Sequence, residues 1–582
     1  MRFLAPVAVR RATQADEVVP VLNAADRAAR EGRWVVGFVS YEAASAFDPA
    51  FERARCGALP LAWFAEFEAP AEHGHELDDQ VDLASDRAPI PLAPVAAVGD
   101  AEYAAAVQRI HAYIEAGDAY QVNLTVPFTS PLTSSAAALY ERMRDAQGGA
   151  YACYLDTGDA RILSASPELF FERRGAVLRS RPMKGTAARG LHPAADAATR
   201  EALRASEKER AENVMIVDVV RNDLGRIARV GSVRVAALCE AERYPSVWQL
   251  TSTVEATVDP DIPLAEIFAA LFPPASVTGA PKIRASAIIR ELETTPREVY
   301  CGAVGVVRPG GDATFNVAIR SAWTLAGEPV LHLNAGGGIT VDSTVRGELH
   351  EVRAKLDAFT RPRLTPGLFE TIRVEHGRCL RLERHLARIG SSADHFGIDF
   401  DRRRALDALT AALRVAEPGV VSRLRLELSP RGELVASIRP HRDSNRQSPA
   451  LVALAESPVD ASDVRLYHKC VDRRVYDAAS ATAPGTFDVL LWNTAGLATE
   501  LTRGNLVVER EGRRLTPPVE SGLLAGTFRA ELLENGELEE RLLPLDEVRR
   551  AERLWFVNSL RGWVPITLVN GGGLRRGDAP GL

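Results

Sequence analysis

The sequence predicts two mixed domains, of the α+β to α/β class, joined by a short linker. Its 582 residues exceed what one hydrophobic core usually organises, so more than one domain is expected. Helical periodicity alternates with short β-branched runs, which is typical of a mixed fold. The stretch TRPRLTPG holds two prolines that stop a helix, and the pattern of strands and helices restarts after it. We therefore expect one domain at 1–360 and a second at 361–582.

Composition excludes several classes of protein. The formal net charge is −7 and no block of Lys or Arg stands out, so no nucleic-acid partner is predicted. The N-terminal apolar run is too short for a signal peptide and no run of about 18 apolar residues occurs, so we expect a cytoplasmic protein without a membrane segment. The six cysteines lie far apart without a C-x-x-C pair, which argues against disulfides and suits a reducing compartment.

The first domain is predicted to contain helices at 101–117, 202–227 and 347–359, where apolar residues recur at helical spacing. The buried face of the second helix is expected to hold Val214, Val217, Val220 and Leu224. Short β-branched runs predict the strands, in RILSASPELFFERR, AVLRSRPMKGT, TFNVAIRSAWTL and PVLHLNAGGGI.

The second domain is predicted to open with a strand, a turn and a helix. The strand is LFETIRV at 368–374, the turn is EHG, and the helix lies in LRLERHLARIGSSADHFG at 380–397. This restart of the pattern places the domain boundary close to residue 361.

Acidic residues of two helices suggest a metal site in the first domain. Glu348 and Glu351 are spaced i, i+3, and Lys355 follows four residues later on the same helical face. Glu212 lies on a different helix, and carboxylates from two helices are able to hold one Mg²⁺. Taken alone, the pattern is more typical of a solvated helix face, so both interpretations stay open.

Two further features suggest anion binding. Gly336, Gly337 and Gly338 lie between a predicted strand and a helix, where bare backbone N–H groups are able to hold an anion, although a simple turn explains them equally well. Arg320 alternates with apolar residues in a predicted strand. It therefore needs an anionic partner, either a protein carboxylate or a substrate.

Eight segments in order resemble the chorismate-utilising enzymes, the family of anthranilate, isochorismate and aminodeoxychorismate synthases. They are YIEAGDAYQVNLT, SASPELFF, RPMKGT, KERAENVMIVDVVRNDLGRI, FPPASVTGAPKIRA, YCGAVG, FNVAIRSAW and AGGGITVDSTVRGELHEVRAK. The resemblance covers roughly residues 30–360. It implies a fold of antiparallel sheets flanked by helices and an enzyme that acts on chorismate.

The resemblance also implies roles for individual residues. Glu212 and Glu351 would bind Mg²⁺ with Glu348 nearby, and Lys355 would support that site. Glu168 would be the acid that assists departure of the C4 hydroxyl group. The carboxylates of the substrate would be held by Thr278, Gly279, Arg320, Gly336, Gly337 and Gly338.

Lys184, in RPMKGT, distinguishes the subfamilies. Enzymes that aminate C2 typically have a small alanine here, which leaves room for ammonia. The aminodeoxychorismate type has a lysine, which acts as a nucleophile at C2 before ammonia adds at C4. Such a lysine must be neutral, a state that desolvation favours. Isochorismate-type enzymes also carry lysines in their sites, and a surface lysine in a turn is the plain alternative.

Gln249 is a departure from the family pattern. It stands where the family commonly has a histidine, and a glutamine amide cannot carry a proton. This weakens the anthranilate interpretation, because that reaction must also remove a ring proton and pyruvate. Simple amination remains compatible with the change.

The second domain contains a single lysine, Lys469, in RLYHKCVDRRVYD. An enzyme that uses pyridoxal 5′-phosphate (PLP) needs one lysine for the covalent bond, an acid at the pyridine nitrogen, and phosphate donors from an arginine and a helix N-terminus. An arginine-rich composition explains the depletion of lysine equally well, so composition alone does not decide.

Five segments of this domain together resemble the fold-type IV PLP enzymes, the group of branched-chain aminotransferases and aminodeoxychorismate lyases. They are GLFETIRVEHGRCLRLERHLARI, HKCVDRRVYD, GLATELTRGNLVV, LTPPVESGLLAGTFR and FVNSLRGWVP. The resemblance implies that Lys469 binds PLP covalently and that Glu500 pairs with the pyridine nitrogen. It also implies a phosphate site and two neighbouring amides, formed by Arg388, Gly526, Thr527, Asn505 and Asn558.

The two resemblances together imply 4-aminobenzoate synthesis, which serves folate. The first domain would aminate chorismate at C4, and the second would release pyruvate from the product. An anthranilate-type first domain needs no such companion, because it expels pyruvate itself. The expected partners are chorismate, ammonia, a separate glutamine amidotransferase subunit, since no G-x-C-x-G elbow is visible, and a second copy of the chain bound through the PLP domain.

Two alternatives remain open at the level of sequence. One is an anthranilate or isochorismate synthase joined to a branched-chain or D-amino-acid transaminase. The other is that one half is a degenerate ligand-binding or scaffold module.

Overall fold

The computed structural model describes residues 1–51, 57–71, 92–360, 365–442 and 448–569. The chain divides into two compact units, Met1–Arg189 with Thr199–Arg363, and Gly190–Ala198 with Leu364–Leu582. The predicted boundary near residue 361 lies outside the described residues. None of the described helices is both long enough and apolar enough to cross a membrane.

The first unit is built on two antiparallel sheets. Ten strands form one sheet, in the order β1-β3-β2-β14-β15-β8-β9-β12-β10 with β11 on β12, and seven form the other, in the order β13-β5-β17-β16-β7-β6 with β4 on β5. The strands are β1 (Ala8–Ala12), β2 (Trp34–Val39), β3 (Ala62–Phe67), β4 (Val95–Ala96), β5 (Gln121–Pro131), β6 (Tyr151–Asp156), β7 (Ala160–Ser166), β8 (Leu169–Arg174), β9 (Val177–Arg181), β10 (Met183–Ala188), β11 (Arg234–Arg243), β12 (Val247–Thr257), β13 (Gly279–Ala280), β14 (Ala303–Val307), β15 (Ala313–Val317), β16 (Ser321–Leu325) and β17 (Val330–Ile339).

Helices cover the outer faces of these sheets, and the two sheets meet through a shared core. Phe38 and Trp63 of the first sheet belong to one buried cluster with Ile162 and Trp323 of the second. The helices are α1 (Ala15–Arg30), α2 (Asp100–Glu115), α3 (Ala136–Gln147), α4 (Pro193–Ala205, with residues of both units), α5 (Glu207–Gly225), α6 (Leu264–Leu271), α7 (Lys282–Leu292) and α8 (Val345–Thr360). Antiparallel sheets flanked by helices confirm the predicted class of this half.

The predicted helix at 202–227 is wrong at its start. The chain forms two helices here, because α4 ends at Ala205 and Ser206 is the N-cap residue of α5. The hydroxyl oxygen of Ser206 accepts the Glu209 N–H at 3.3 Å. Ser is a preferred N-cap residue, and the cap satisfies one of the free N–H groups of the new helix. The predicted buried face holds for Val217, Val220 and Leu224, whereas Val214 is 43% exposed.

The glycine triplet and Arg320 lie in local structure that differs from the prediction. The glycine triplet lies inside β17, where Gly336, Gly337 and Gly338 pair with β5, instead of in a connection to the next helix. Arg320 lies in the connection between β15 and β16 with φ of 51°, outside any strand. Lys184 lies on β10, within the run AVLRSRPMKGT that predicted a strand, and Pro182 separates this strand from β9. Pairing between strands that are far apart in the sequence decides where each strand begins and ends, and a local sequence pattern does not reveal that pairing.

The second unit contains one open sheet and one closed barrel. Four strands pair in the order β19-β18-β20-β21, and eight in the order β24-β23-β22-β29-β28-β25-β26-β27. Strand β24 also pairs with β25, which closes six strands into a ring. The strands are β18 (Leu368–Glu375), β19 (Arg378–Cys379), β20 (Ser422–Leu428), β21 (Leu434–Pro440), β22 (Ala450–Leu454), β23 (Asp488–Trp492), β24 (Ala498–Leu501), β25 (Gly504–Arg510), β26 (Arg513–Thr516), β27 (Glu539–Glu540), β28 (Arg553–Asn558) and β29 (Gly562–Val569).

The helices of the second unit are α9 (Leu382–Phe396), α10 (Arg402–Leu413), α11 (Arg474–Ala481), α12 (Thr527–Glu534) and α13 (Leu545–Arg549). The predicted strand at 368–374 and the predicted helix at 380–397 correspond to β18 and α9. Leu386, Ile389 and Ala393 of α9 are buried in one cluster with Ile372 of β18, which explains why the amphipathic pattern of this helix was readable.

Candidate active sites

Lys184 of the first unit points at the glycine triplet. Its side chain is half-buried on β10, and an alanine at position 338 would place its Cβ 2.5 Å from Lys184 Nζ. The same Cβ would overlap with the side-chain amide of Gln121. Glycine at this position therefore leaves room for two polar groups, which is more than a simple turn requires.

The backbone of Lys184 is held by Asn213 of helix α5. Asn213 Nδ2 donates to the carbonyl oxygen of Lys184 at 3.1 Å, and Asn213 Oδ1 accepts from Ser252 Oγ at 2.5 Å. Asn213 is almost fully buried, so the contact fixes β10 against α5. The prediction missed Asn213, because its partners lie far away in the sequence.

Glu168 lies in the turn between β7 and β8, next to Lys184. Its carboxyl group is buried, and Oε1 accepts the backbone N–H of Met183 at 3.4 Å. Burial raises the pKa of Glu168 to about 7, although the charge of Lys184 acts in the opposite direction. A carboxyl group with this pKa is able to donate a proton near neutral pH.

The predicted anion ligands Arg320 and Thr278 have backbone partners. Arg320 Nη1 donates to the carbonyl oxygen of Lys355 at 2.7 Å, and burial lowers the pKa of this guanidinium. Among the described residues no carboxylate forms an ion pair with Arg320, which leaves its charge for a bound anion. Thr278 is fully buried and its Oγ1 contacts the carbonyl oxygens of its own turn, so the prediction that its side chain binds substrate stays a prediction.

The carboxylates of α8 approach the second glycine of the triplet. An alanine at Gly337 would place its Cβ 2.9 Å from Glu348 Oε2 and 3.4 Å from Glu351 Oε1. Lys355 Nζ contacts both Glu351 Oε1 and the carbonyl oxygen of Gly336 at 2.6 Å. Burial would raise the pKa of Glu351, but nearby cations, led by Lys355, lower it overall.

The predicted metal ligands do not converge on one point in the described structure. No three His, Cys, Asp or Glu side chains stand near enough to hold a metal ion within the described part of the chain. Glu212 of α5 is half-buried, and its charge acts on Glu209, on which the charge of Glu351 also acts. The set of Glu212, Glu348 and Glu351 therefore stays a prediction.

Glu209 is a carboxylate that the prediction missed. Burial, followed by the charge of Glu212, raises the pKa of Glu209. An alanine at Gly185 would place its Cβ 3.1 Å from Glu209 Oε2, so this side chain faces the strand of Lys184. The signal was present in the sequence: E-x-x-E occurs on α5, at 209–212, as it does on α8.

These carboxylates suit a divalent cation. Glu348 Oε2 is buried and has no hydrogen-bond partner among the described residues. Burial, together with the charge of Glu351, raises the pKa of Glu348. Mg²⁺ prefers oxygen ligands and would satisfy such an oxygen while it relieves the crowding of negative charge.

Lys469 lies in the connection between β22 and α11 in the second unit, against β18. Its backbone carbonyl oxygen accepts the Phe369 N–H at 3.0 Å, and its Nζ lies 4.9 Å from the centre of the Phe369 ring. Burial, followed by the charge of Arg388, lowers the pKa of Lys469 to about 8. An amine with this pKa is partly neutral near physiological pH, as attack on a carbonyl group requires.

Glu500 of β24 is the buried acid of this site. Its Oε1 accepts from Tyr476 Oη at 2.8 Å and from the Leu524 N–H at 3.1 Å, and its Oε2 accepts from Asn505 Nδ2 at 3.4 Å. Burial raises the pKa of Glu500 to about 7. Asn558, which was also expected here, uses its side chain to contact the backbone of Arg503, Leu560 and Arg561.

Arg388 of α9 reaches the N-terminus of α12. Its Nη1 donates to the carbonyl oxygen of Ala525 at 2.9 Å, directly before Gly526, which is the N-cap residue. A Cβ at position 526 would overlap with Asn505 Oδ1, so the turn needs glycine. A guanidinium beside a helix N-terminus is suited to a phosphate group.

Glu370 is a partner that the prediction missed. Both of its oxygens accept from Arg388, at 2.8 and 2.6 Å, and Oε2 also lies 2.7 Å from His385 Nδ1. The other ring nitrogen of His385 contacts Ser559 Oγ at 2.9 Å and Thr527 Oγ1 at 3.3 Å. Burial alone would raise the pKa of Glu370, but Arg388 and His385 lower it overall.

The second unit suits PLP by the chemistry of its donors. It contains the four features expected: the buried amine of Lys469, the buried acid Glu500, Arg388, and the helix N-terminus at Thr527. The charges of Arg388 and Glu500 both act on Lys469.

Two family models match the chain. Residues 6–361 match the model described as chorismate binding enzyme, and residues 367–569 match amino-transferase class IV. Aminodeoxychorismate synthase component 1 of Bacillus subtilis is 38% identical over 259 residues, which are 44% of this chain and 55% of that protein. Anthranilate synthase component 1 of Streptomyces coelicolor is 40% identical over 267 residues, 45% of this chain and 52% of that protein.

The chain spans about half the length of the curated relatives it matches. Among solved structures, anthranilate synthase component I from Streptococcus pneumoniae is 25% identical with a TM-score of 0.53. That match covers 62% of this chain and 91% of the other.

Proposed function

The chain belongs to the chorismate binding enzymes and carries a class IV amino-transferase domain, and from this premise we propose that it makes 4-aminobenzoate, a folate precursor, from chorismate. The first unit would aminate chorismate at C4 to give 4-amino-4-deoxychorismate. The second would release pyruvate from that intermediate. The relatives include both an aminodeoxychorismate and an anthranilate synthase component, so the choice between them depends on the site residues.

The presence of Lys184 in this site is the observation that supports amination at C4 over amination at C2. The long amine of Lys184 lies beside Gly338, where it would fill the space that ammonia needs for direct attack at C2. We propose that the amine itself bonds to C2, while the ring double bonds shift and the bond from C4 to its hydroxyl oxygen breaks. Ammonia then bonds to C4, the double bonds shift back, and the Lys184 amine is released.

Glu168 would provide the proton for the departing hydroxyl group. Its pKa of about 7 keeps a large fraction protonated near neutral pH, and the group leaves as water. Arg320 and the backbone of β17 would hold carboxylates of the substrate. Mg²⁺ held by carboxylates of α5 and α8 would supply a positive charge for the substrate's oxygens.

Ammonia would come from a separate glutamine amidotransferase subunit. The support is the likeness to proteins named component 1 of a synthase, together with the lack of a glutaminase elbow in the sequence. The chain alone should therefore use ammonium salts.

In the second unit, bound PLP would supply an electron sink for the charge left when a proton is removed. Arg388 and the N-terminus of α12 would hold its phosphate, and Glu500 would face its pyridine nitrogen. Lys469 is expected to take the proton from C4 of the intermediate. The enolpyruvyl group then leaves as pyruvate and the ring becomes aromatic, which makes release favourable.

The test is incubation with chorismate, Mg²⁺, ammonium and PLP, followed by chromatography against standards. Because 4-aminobenzoate and anthranilate have the same mass, separation by retention time is required. We expect 4-aminobenzoate and an equal amount of pyruvate. Anthranilate or isochorismate as the product, with ketoacids formed from added amino acids, would instead establish a synthase joined to a transaminase.

A further inference from the structure

Gln121 is the one residue in the described chain whose two side-chain polar atoms are both buried without a hydrogen-bond partner. It is the first residue of β5 and is fully buried. Most buried polar side-chain atoms in folded proteins are paired. A buried amide without a partner destabilises the fold, so a function is needed to explain it.

The Gln121 amide points into the first site. A Cβ on Gly338 would overlap with Gln121 Nε2 and would lie 2.5 Å from Lys184 Nζ, so amide and amine approach the same point. Gly338 pairs with Asn123, two residues further along β5 and therefore on the same face as Gln121. Because Gly338 has no side chain, nothing of this residue stands between the Gln121 amide and the Lys184 amine.

The amide does not hold the local fold together. The strand around Gln121 is fixed by backbone pairing with Ala280 and by the Asn123 N–H, which donates to the carbonyl oxygen of Thr278 at 2.8 Å. Neither contact involves the side chain. A residue that served only the core here would be apolar.

We propose that Gln121 binds the substrate and positions the Lys184 amine in the first site, an assignment that depends on the proposed function. Its amide nitrogen donates to the ring carboxylate of chorismate, which is attached to the carbon next to C2. Its amide oxygen accepts from the Lys184 amine and orients the lone pair towards C2. Both unpartnered atoms are satisfied in this arrangement, and the neutral amide avoids the repulsion that a carboxylate would cause.

The experiment replaces Gln121 by methionine, which has a similar length but no hydrogen-bonding amide. Two quantities are measured: the KM for chorismate in amination with ammonium and Mg²⁺, and the Tm without substrate. We expect KM to rise roughly tenfold or more, because a hydrogen bond to a charged group is lost. We expect Tm to stay equal or to rise by about 1–3 °C, because the unpaired amide is removed.

Two further variants accompany this change. Gln108→Met on the exposed face of α2 is the matched control and should alter neither quantity. Gln121→Asn keeps the amide but withdraws it by one methylene group. It should raise KM in the same direction, which tests the assignment even if the methionine variant does not fold.

The outcomes separate the two claims. If the wild type converts chorismate and the Gln121 variants keep its KM, the assignment of Gln121 is overturned and the proposed function stands. A Tm that falls by more than about 3 °C with an unchanged KM would place Gln121 in the structural core instead. If the wild type does not convert chorismate, the proposed function fails and the assignment fails with it.

Discussion

The backbone N–H of Met183 donates to Glu168 Oε1 at 3.4 Å, which places a buried carboxyl group beside the residue before Lys184. Two chain segments of different sheets thereby bring an acid next to an amine: Glu168 follows β7 of the seven-stranded sheet, and Lys184 lies on β10 of the ten-stranded sheet. Burial raises the pKa of Glu168 to about 7 from its ordinary value of 4.5. The protonated carboxyl is the form that a general acid needs.

Amination should therefore fall as the pH rises through about 7, because Glu168 then loses its proton. Glu168→Gln should lower the amination rate by roughly 10²–10⁴ and should remove this pH dependence from the remaining activity. Rates measured between pH 5.5 and 9 with supplied ammonia test both points, at a constant concentration of the uncharged form. Glu102→Gln, an exposed change on α2, is the control.

The same shift predicts a change in stability. Because the folded-state pKa of Glu168 is raised, its contribution to the free energy of unfolding is fully present below the ordinary pKa and is lost as the pH rises through about 7. Glu168→Gln should therefore gain Tm relative to the wild type as the pH rises from 5 to 8. A difference in Tm that does not change with pH would show that this carboxyl ionises normally.

Gly338→Ala tests the space in front of Lys184. The new Cβ would overlap with Gln121 and press on Lys184 Nζ, so we expect amination to fall at least about tenfold while lyase activity is kept. Gly225→Ala is the matched control, since a Cβ there meets nothing within 4 Å. Equal amination by the two variants would show that position 338 does not border the reacting substrate.

Sequence motifs identified many of the candidate site residues, because each motif contains functional side chains that are close together in the sequence. The two family models confirm both resemblances and the fold class that they implied. The unit that holds Lys469 also brings Arg388 and Glu500 near it, and the first unit places Lys184 near Glu168. Strand β18 and helix α9 were readable because their apolar residues follow one period and pack on each other.

What the sequence did not reveal depends on partners far along the chain. In the sequence Glu370 looks like an ordinary polar residue of a strand, and only the fold shows that Arg388 and His385 contact its carboxylate. The glycine triplet has the composition of a turn, and only its register with β5 makes it a strand. Glu209 is different, because its E-x-x-E spacing on α5 was visible and was read only as part of a helix.

Lys469 should carry the PLP. Its pKa of about 8 means that the reactive neutral amine becomes dominant above that pH, so attachment of PLP to the apoprotein should accelerate as the pH rises through about 8. The purified protein should be yellow, and borohydride followed by peptide mapping should locate the reduced cofactor at residue 469. Lys469→Ala should lose the label and lyase activity but keep amination of chorismate. A colourless protein that gains no lyase activity from added PLP would contradict this assignment.

Lys184→Ala separates the two activities in the opposite sense. Without the amine, ammonia or water must attack chorismate directly, so amination at C4 should fall by roughly 10²-fold or more. PLP binding and lyase turnover of supplied 4-amino-4-deoxychorismate should be unchanged, because Lys184 and Lys469 belong to different units. Paired assays on the variant measure both, with chorismate plus ammonium for the first unit and the amino intermediate for the second.

The covalent role of Lys184 has its own measurement. Wild-type protein quenched during turnover should carry an adduct at residue 184 that peptide mass spectrometry detects, with a mass equal to chorismate less one water. The alanine variant opens the space next to C2, so a small amount of product aminated at C2, which still carries the enolpyruvyl group, is expected from direct attack of ammonia there with loss of the C4 hydroxyl group as water. Unchanged synthesis of 4-aminobenzoate by the variant, with no adduct in the wild type, would rule out the nucleophile and leave Lys184 as a residue that only fills this space.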